Sequence, residues 1–270
     1  MASETLWSLL EHVQVYDLGQ PLEPSIPVSP NHPGFRLALM RRHGDMVRAD
    51  GGSAANEMFV MGGHVGTHMD ALAHVSHNGK LFGGIDAYEN QIGGRFKQLG
   101  IDSVQPVVCR GILLDIAGLK NVATLAPGTG IAADDLRRAA EREGITPRKG
   151  DAVLIRSGWS ANWANPSTYI GLEAGVPGVD PSGAELIASW GARVTGHDSV
   201  AYEQIRPGVG HSLLPVHRIL LVEHGIHIVE NLNLDALARD KVYEFLFMVS
   251  PLKMVGATGS PVRPVAVIAA

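Results

Sequence analysis

His64-Val65-Gly66-Thr67-His68-Met69-Asp70-Ala71-Leu72-Ala73-His74 sets three imidazoles and a carboxylate within eleven consecutive residues. The spacing, H-x3-H-x-D-x3-H, offers imidazole nitrogens and a hard carboxylate oxygen, a donor set that suits a borderline divalent ion. On an extended strand, positions 64, 66, 68 and 70 share one face, and Gly66 leaves room between two imidazoles. A helix would turn Asp70 away from His68. Gly62, Gly63, Gly66 and Thr67 also disfavour a helix through the first half. The segment therefore reads as extended through His64, His68 and Asp70, with His74 one turn later. A lone histidine is usually an ordinary surface or core residue, but four candidate donors this close together argue for a metal site. No cysteine accompanies them, which weighs against a purely structural ion. His/Asp sites with open positions commonly hold a metal-bound water whose pKa falls toward ~7.

Outward from this segment, short runs rich in β-branched and aliphatic residues read as buried strands over 107–116, 152–155, 192–195 and 226–229. Helices are predicted between them. Ala132 to Glu143 carries Leu136, Ala139 and Ala140 at helical spacing and stops at Gly144. Ser182-Gly-Ala-Glu185 has the form of a capping box opening a helix that ends at Gly191. Pro215 suits the first position of a helix running toward Gly225. Strands and helices alternate over the C-terminal two-thirds, so the pattern favours a mixed α/β fold over a repeat or a bundle. Thirty-two glycines and sixteen prolines are dispersed rather than gathered in a linker, which points to one compact unit over residues 1–270. Between Gly19 and Gly34, prolines at 21, 24, 27, 30 and 33 predict an extended surface stretch, an N-terminal arm or a pocket rim.

A formal net charge of −5 and the lack of any Lys/Arg cluster give no attraction to phosphate backbones or anionic lipid, so neither nucleic acid nor membrane is an expected partner. Cys109 is the only cysteine; it excludes an internal disulfide and fits a reducing, cytoplasmic setting. Met1 to Val15 does not read as a signal peptide. Apolar windows such as Phe245–Val249 are far shorter than the ~20 residues a membrane helix needs.

The histidine segment resembles the signature H-x-G-T-H-x-D-x-P-x-H of the metal-dependent cyclase family, whose hydrolases include bacterial kynurenine formamidases and isatin hydrolases. Asp17-Leu-Gly-Gln-Pro-Leu22, Ile228-Val-Glu-Asn-Leu232 and Pro251-Leu-Lys-Met-Val-Gly-Ala-Thr-Gly-Ser-Pro-Val-Arg263 look like further landmarks in family order. The resemblance implies a swivelling β/β/α fold in a single compact domain, a homodimer or homotetramer, and hydrolysis of a formamide or cyclic amide. It implies His64, His68 and Asp70 as metal ligands and His74 as catalytic acid/base. In two-metal members Asp70 and the Glu of E-N-L, here Glu230, would bridge the ions, and His217 matches a second-metal histidine. Leu72 stands where the signature has Pro. Ser29 stands where kynurenine formamidases carry a pocket-lining Trp.

The expected activity is thus hydrolysis of a small-molecule amide with one or two ions of Zn²⁺ or Mn²⁺, which polarise the carbonyl, while His74 moves a proton to the leaving nitrogen. Ser29 and Phe35 are candidate substrate-lining residues, with Trp159 and Trp163 as further aromatic candidates. Two rival readings use the same residues: a cyclase or dehydratase that employs the ion as a Lewis acid, and a non-catalytic protein that the metal stabilises. Serine-hydrolase chemistry lacks its G-x-S-x-G elbow. His77, His197, His211, His224 and His227 show no mutual metal spacing, and His197-Asp198 reads chiefly as a cap or turn.

Overall fold

The computed structural model describes residues 11–269, so most of the Met1 to Val15 stretch lies outside the described residues. Eleven strands carry the architecture: β1 (Val13–Asp17), β2 (Arg36–Arg41), β3 (Asn56–Val60), β4 (His68–Asp70), β5 (Val107–Asp115), β6 (Ala152–Arg156), β7 (Val194–His197), β8 (His227–Glu230), β9 (Glu244–Val249), β10 (Gly259–Pro261) and β11 (Val265–Ala269). Nine of them form one sheet in the order β1-β11-β9-β5-β6-β7-β8-β4-β10, while β2 and β3 pair as a separate antiparallel ribbon. The central strands β5 to β8 run parallel. Their side chains are covered on both faces, which is why they read as continuous apolar runs rather than alternating ones.

Strand alternation sorts this apolar run into two cores. Ile112, Leu114, Val153 and Ile155 point to one face and pack with Leu136, Ala139, Ala184 and Ile187 of two helices, α1 (Ala133–Arg142) and α3 (Pro181–Ser189). Leu113, Ala152, Leu154 and Val194 point to the other, against Phe245 and Phe247 of β9 and Val229 of β8. Each Val, Leu, Ile or Phe among these contributes about 1.5–3 kcal/mol when fully buried. The helix α2 (Pro166–Ile170) lies between α1 and α3 in sequence. The helix α4 (Pro215–His217) starts on its proline and continues into a π-helical turn over Arg218–Glu223.

The mixed α/β architecture is as expected, and the differences are local. The third and fourth predicted strands lie later than expected, at Val194–His197 and His227–Glu230, because pairing sets the ends: Val194 opposes Ala152 and His197 opposes Ile155. Ser182 does not cap α3. Asp180 does, its Oδ1 accepting the Gly183 N–H at 2.9 Å with Pro181 in the first turn, and the Ser182 hydroxyl donates to that same oxygen at 2.6 Å. The proline supplies the preset φ that moves the helix start back. The proline-rich stretch of 19–34 takes the rim placement rather than that of a projecting arm: Ile26 and Val28 pack with Phe35, Met61, Val65 and Trp163. No helix among the described residues is long and apolar enough to cross a membrane.

Candidate metal centre

The extended segment is shorter than the spacing suggested. Only His68–Asp70 forms strand, and His64 sits on a preceding turn that needs Gly66 at φ +68°. The expected single-face alignment of 64, 66, 68 and 70 is therefore corrected: His64 arrives from the turn. Its ring lies against Gly259, where any Cβ would collide with the imidazole. His74 follows in a tight turn, its N–H bonded to the Ala71 carbonyl at 2.9 Å.

Register brings the remote carboxylate in. β4 is sandwiched between β8 and β10, and Glu230 of β8 is the direct antiparallel partner of His68. Glu230 Oε2 lies 3.4 Å from His68 Nε2, and Asp70 Oδ1 lies 3.5 Å from the same nitrogen. From α4, His217 Nε2 approaches Glu230 Oε1 at 3.2 Å and Asp70 Oδ2 at 3.7 Å. His64 Nδ1 is 2.7 Å from the Asp70 Oδ1 that His68 also approaches, and the His74 ring stacks on His64 with centroids 3.8 Å apart. Donor atoms thus gather into two groups, His64/Asp70/His74 and His68/Asp70/Glu230, with Asp70 common to both.

The tautomers follow from the outer partners. His68 Nδ1–H donates to the Gly66 carbonyl at 2.9 Å, leaving the Nε2 lone pair toward the carboxylates. His217 Nδ1–H donates to Glu203 Oε1 at 2.6 Å. Asn231, at φ +58°, donates to the Gly66 carbonyl at 2.8 Å and accepts from the Tyr169 hydroxyl at 2.9 Å. His227 Nδ1–H donates to the Asp70 carbonyl at 2.9 Å. His64 differs, because both its ring nitrogens have protein partners, Asp70 Oδ1 and, at 2.9 Å, Thr258 Oγ1. It must surrender one of them to ligate an ion.

Electrostatics favour the ionisation states that ligation needs at His68 and Asp70 and oppose them at Glu230 and His217. Burial pushes the His68 imidazole down, the nearby Glu230 and Asp70 charges only partly restoring it. Burial likewise pushes His74 down to about 3, so it is neutral at physiological pH. For Asp70, burial works upward but the surrounding His74, His64 and His68 outweigh it, and the carboxyl is held well below its ordinary range. Glu230 is raised by burial and by the Asp70 charge, against the pull of His217. His217 is desolvated too, but Glu203 and Glu230 more than compensate and lift it well above its ordinary value. A His217 imidazolium and a divalent ion are thus alternative counter-charges for one pair of carboxylates, and ligation through Nε2 requires the proton to leave.

The residues fit a metal ion on one further count. Asp70 Oδ2 and Glu230 Oε1 are buried carboxylate oxygens that make no well-formed hydrogen bond, their nearest cationic group being His217 at 3.7 and 3.2 Å. Unsatisfied buried polar atoms cost about 1–3 kcal/mol each, more when charged. A bound cation would remove that cost.

A cavity of about 210 Å³ opens onto the cluster, lined by His64, His68, His74, His217 and Glu230 together with Ser29. Ser29, a substrate-lining candidate, is thus placed at this cavity. Phe35 is not: it is buried behind the rim with Ile26 and Val65 and stacks on Phe59, because the preceding prolines turn its ring inward to close a small apolar cluster. Three residues of the site carry no signal in the sequence. His32 and His211 line the cavity, and neither has a motif position. Glu203 is 1% exposed and orients His217, yet no spacing rule connects a glutamate to a helix that begins twelve residues later. His197-Asp198 is structural, Asp198 accepting from the Ser157 and Gly158 backbone N–H groups at 2.9 and 2.8 Å.

Known proteins share both the sequence pattern and the fold. The Cyclase family model, described as "Putative cyclase", matches residues 16–204. A kynurenine formamidase from Geobacillus thermodenitrificans is 28% identical over 250 residues, 92% of this chain and 94% of its own length. A solved structure of a novel cyclase superposes with a TM-score of 0.84 at 26% identity, covering 98% of this chain and 93% of that one. Isatin hydrolase A from Ralstonia solanacearum, 22% identical, superposes with a TM-score of 0.76 over 99% of this chain and 97% of its own, a likeness of fold.

Proposed function

Because the chain belongs to the Cyclase family, we propose that it is a metal-dependent hydrolase that cleaves the C–N bond of a formamide or cyclic amide. The observation that carries this reading is the pair of buried carboxylates, Asp70 and Glu230, each with an oxygen that makes no well-formed hydrogen bond, among His64, His68, His74 and His217. The likeness to a kynurenine formamidase along nearly the whole chain supports the amide as the bond attacked.

His68, Asp70 and Glu230 would hold one ion of Zn²⁺ or Mn²⁺, with His64 beside Asp70 Oδ1 and His217 beside Asp70 Oδ2 and Glu230 Oε1 as further donors for that ion or a second. When bound, such an ion supplies Lewis acidity toward the amide carbonyl and lowers the pKa of water. His74 lies beside this cluster, its ring stacked on His64, and serves as the base that takes a proton from the attacking water. It returns that proton to the leaving nitrogen. The water oxygen becomes bonded to the carbonyl carbon, the C–N bond breaks, and a carboxylic acid and an amine result, or one ring-opened product from a cyclic amide. Glu203 keeps the His217 ring turned with Nε2 toward the carboxylates.

The exposed ribbon supports a homodimer or homotetramer. Leu37, Leu39, Met40, Met58, Phe59 and Val60 are each more than half exposed on β2 and β3, and an apolar patch of that extent commonly marks an interface. The lone Cys109 fits a cytoplasmic setting.

Metal analysis of the purified protein, followed by assays with formanilide, N-formylkynurenine and isatin before and after chelation, tests the reading. Near-stoichiometric Zn or Mn with chelator-sensitive hydrolysis is expected. A folded, metal-free protein that stays inert when Zn²⁺ or Mn²⁺ is added would sink it.

A further inference from the structure

The cavity at the histidine cluster is small, about 210 Å³. Ligand pockets that bury a drug-sized molecule run to roughly 300–1,000 Å³, so little beyond the reacting amide fits there. A second cavity of about 870 Å³ adjoins it, and the two share Val28, Ser29 and His32 as a common border. The larger one is built from the proline-rich rim on one side and the segment from Trp159 to Ala174 on the other, with Ile26, Pro127, Trp159, Ile170 and Leu172 giving it an apolar wall. Its charged lining residues are Arg36 and Glu173, both exposed.

Ser29 stands at that border. Ser29 carries one of the smallest side chains that could stand there. It is 7% exposed, and its hydroxyl has no hydrogen-bond partner in the protein. A buried hydroxyl beside two cavities calls for a partner that the protein itself does not supply, a water or a ligand group.

We propose that the substrate spans this border: the small acyl end of a formamide sits at the histidine cluster, the amide passes Ser29, and an amine-side apolar group larger than one aromatic ring fills the 870 Å³ cavity. The proposal rests on the amide-hydrolase reading above and adds the substrate class. It makes Ser29 a specificity-determining residue and Trp159, Ile170 and Leu172 the surface against which the apolar group is sorted by size. Preference for such substrates comes from apolar area removed from water, so it is to grow with each ring added on the amine side.

The experiment pairs binding with turnover on the metal-loaded full-length protein. Calorimetric titration compares 4-aminobiphenyl with aniline, and kinetic assays compare N-(4-biphenylyl)formamide with formanilide. Binding of the biphenyl amine at least roughly tenfold tighter than aniline is expected, with kcat/KM favouring the larger formamide by a similar factor. Ser29→Trp, which fills the border, and Leu172→Trp, which narrows the exposed side of the larger cavity, should each bring both ratios toward one. The second variant changes an exposed side chain, so it keeps the test available if the first fails to fold. Equal binding of the two amines, or a preference that neither variant moves, would overturn the proposal, even if both formamides are hydrolysed. Tight, variant-sensitive binding of the biphenyl amine with no hydrolysis of either formamide would uphold the cavity assignment and overturn the hydrolase reading instead.

Discussion

Glu203 Oε1 accepts from His217 Nδ1 at 2.6 Å and from the His217 backbone N–H at 3.1 Å, so one carboxylate fixes both the ring and the first turn that carries it. Its other oxygen accepts from the Val216 N–H at 3.2 Å. Glu203→Ala leaves three buried donors without an acceptor. A loss of about 3–5 kcal/mol in stability is expected from breaking such a buried pair, with metal affinity weakened about 10–100-fold. Urea unfolding and calorimetric Zn²⁺ titration measure the two. Glu203→Gln, which keeps an acceptor, should recover part of the affinity; equal affinity in Glu203→Ala and the parent protein would remove Glu203 from its orienting role.

His68 and His74 sit in the same histidine segment but in different donor groups. His68→Ala should lower metal content and turnover together. His74→Ala should lower turnover by about 10²–10⁴-fold, the usual worth of a general acid/base, while most of the metal stays. Metal analysis beside kcat separates the two variants, and equal metal loss in both would make His74 a ligand rather than a proton carrier.

Tyr169 reaches the site at one remove, through Asn231 and the Gly66 carbonyl that also holds His68. Tyr169→Phe removes one hydroxyl from a fully buried position and leaves Asn231 Oδ1 without its donor. A loss of about 1–3 kcal/mol is expected. It should be visible as a lower urea midpoint at unchanged m-value; an unchanged midpoint would show that Asn231 has another donor.

Glu143 offers a pH test remote from the site. Burial, aided by the Asp115 charge, pushes its carboxyl up to about 8, while the Asp115 N–H bond and Arg142 oppose the rise. A folded-state pKa above the unfolded value of 4.5 means that the folded protein keeps a proton the unfolded chain gives up. The resulting stability is present at acidic pH, declines as pH climbs from about 4.5 to 8, and is lost above that. Glu143→Gln should flatten this slope. It should be more stable than the parent at pH 8.5 by about 2 kcal/mol, a value discounted for the group's partial exposure, and nearly equal to it at pH 5. Parallel stability curves for the two proteins would exclude Glu143 as the source.

The β2–β3 ribbon gives a test of assembly. Met58→Glu places a charge on a side chain that is 52% exposed, so folding should be preserved. If the ribbon joins copies of the chain, sedimentation velocity should show a smaller species for the variant than for the parent. Identical sedimentation of the two would place any interface elsewhere.

Much of this molecule was legible in the residues alone, because the features concerned are local. The parallel strands betray themselves as unbroken apolar runs, and α1 as a helical spacing of Leu136, Ala139 and Ala140 closed by a glycine. His64, His68, Asp70 and His74 are gathered by eleven residues of chain, so their clustering needs little tertiary information. Glu230 and His217 were reachable only through family resemblance. Nothing in their own neighbourhoods marks them, and it is strand register that sets Glu230 opposite His68.

What only the tertiary structure decided are the relationships between segments far apart in sequence. The turn at Gly66, with the clearance at Gly259, brings His64 onto Asp70 from outside the strand rather than along the strand face. Glu203 becomes part of the site because its loop packs under α4, and Phe35 leaves it because its ring closes a small core. Composition and spacing determine which chemistry is available. The packing of strands, turns and rim determines which atoms face one another, because hydrogen-bond direction and cavity shape depend on backbone placement to a fraction of an ångström, and no local pattern of residues carries that.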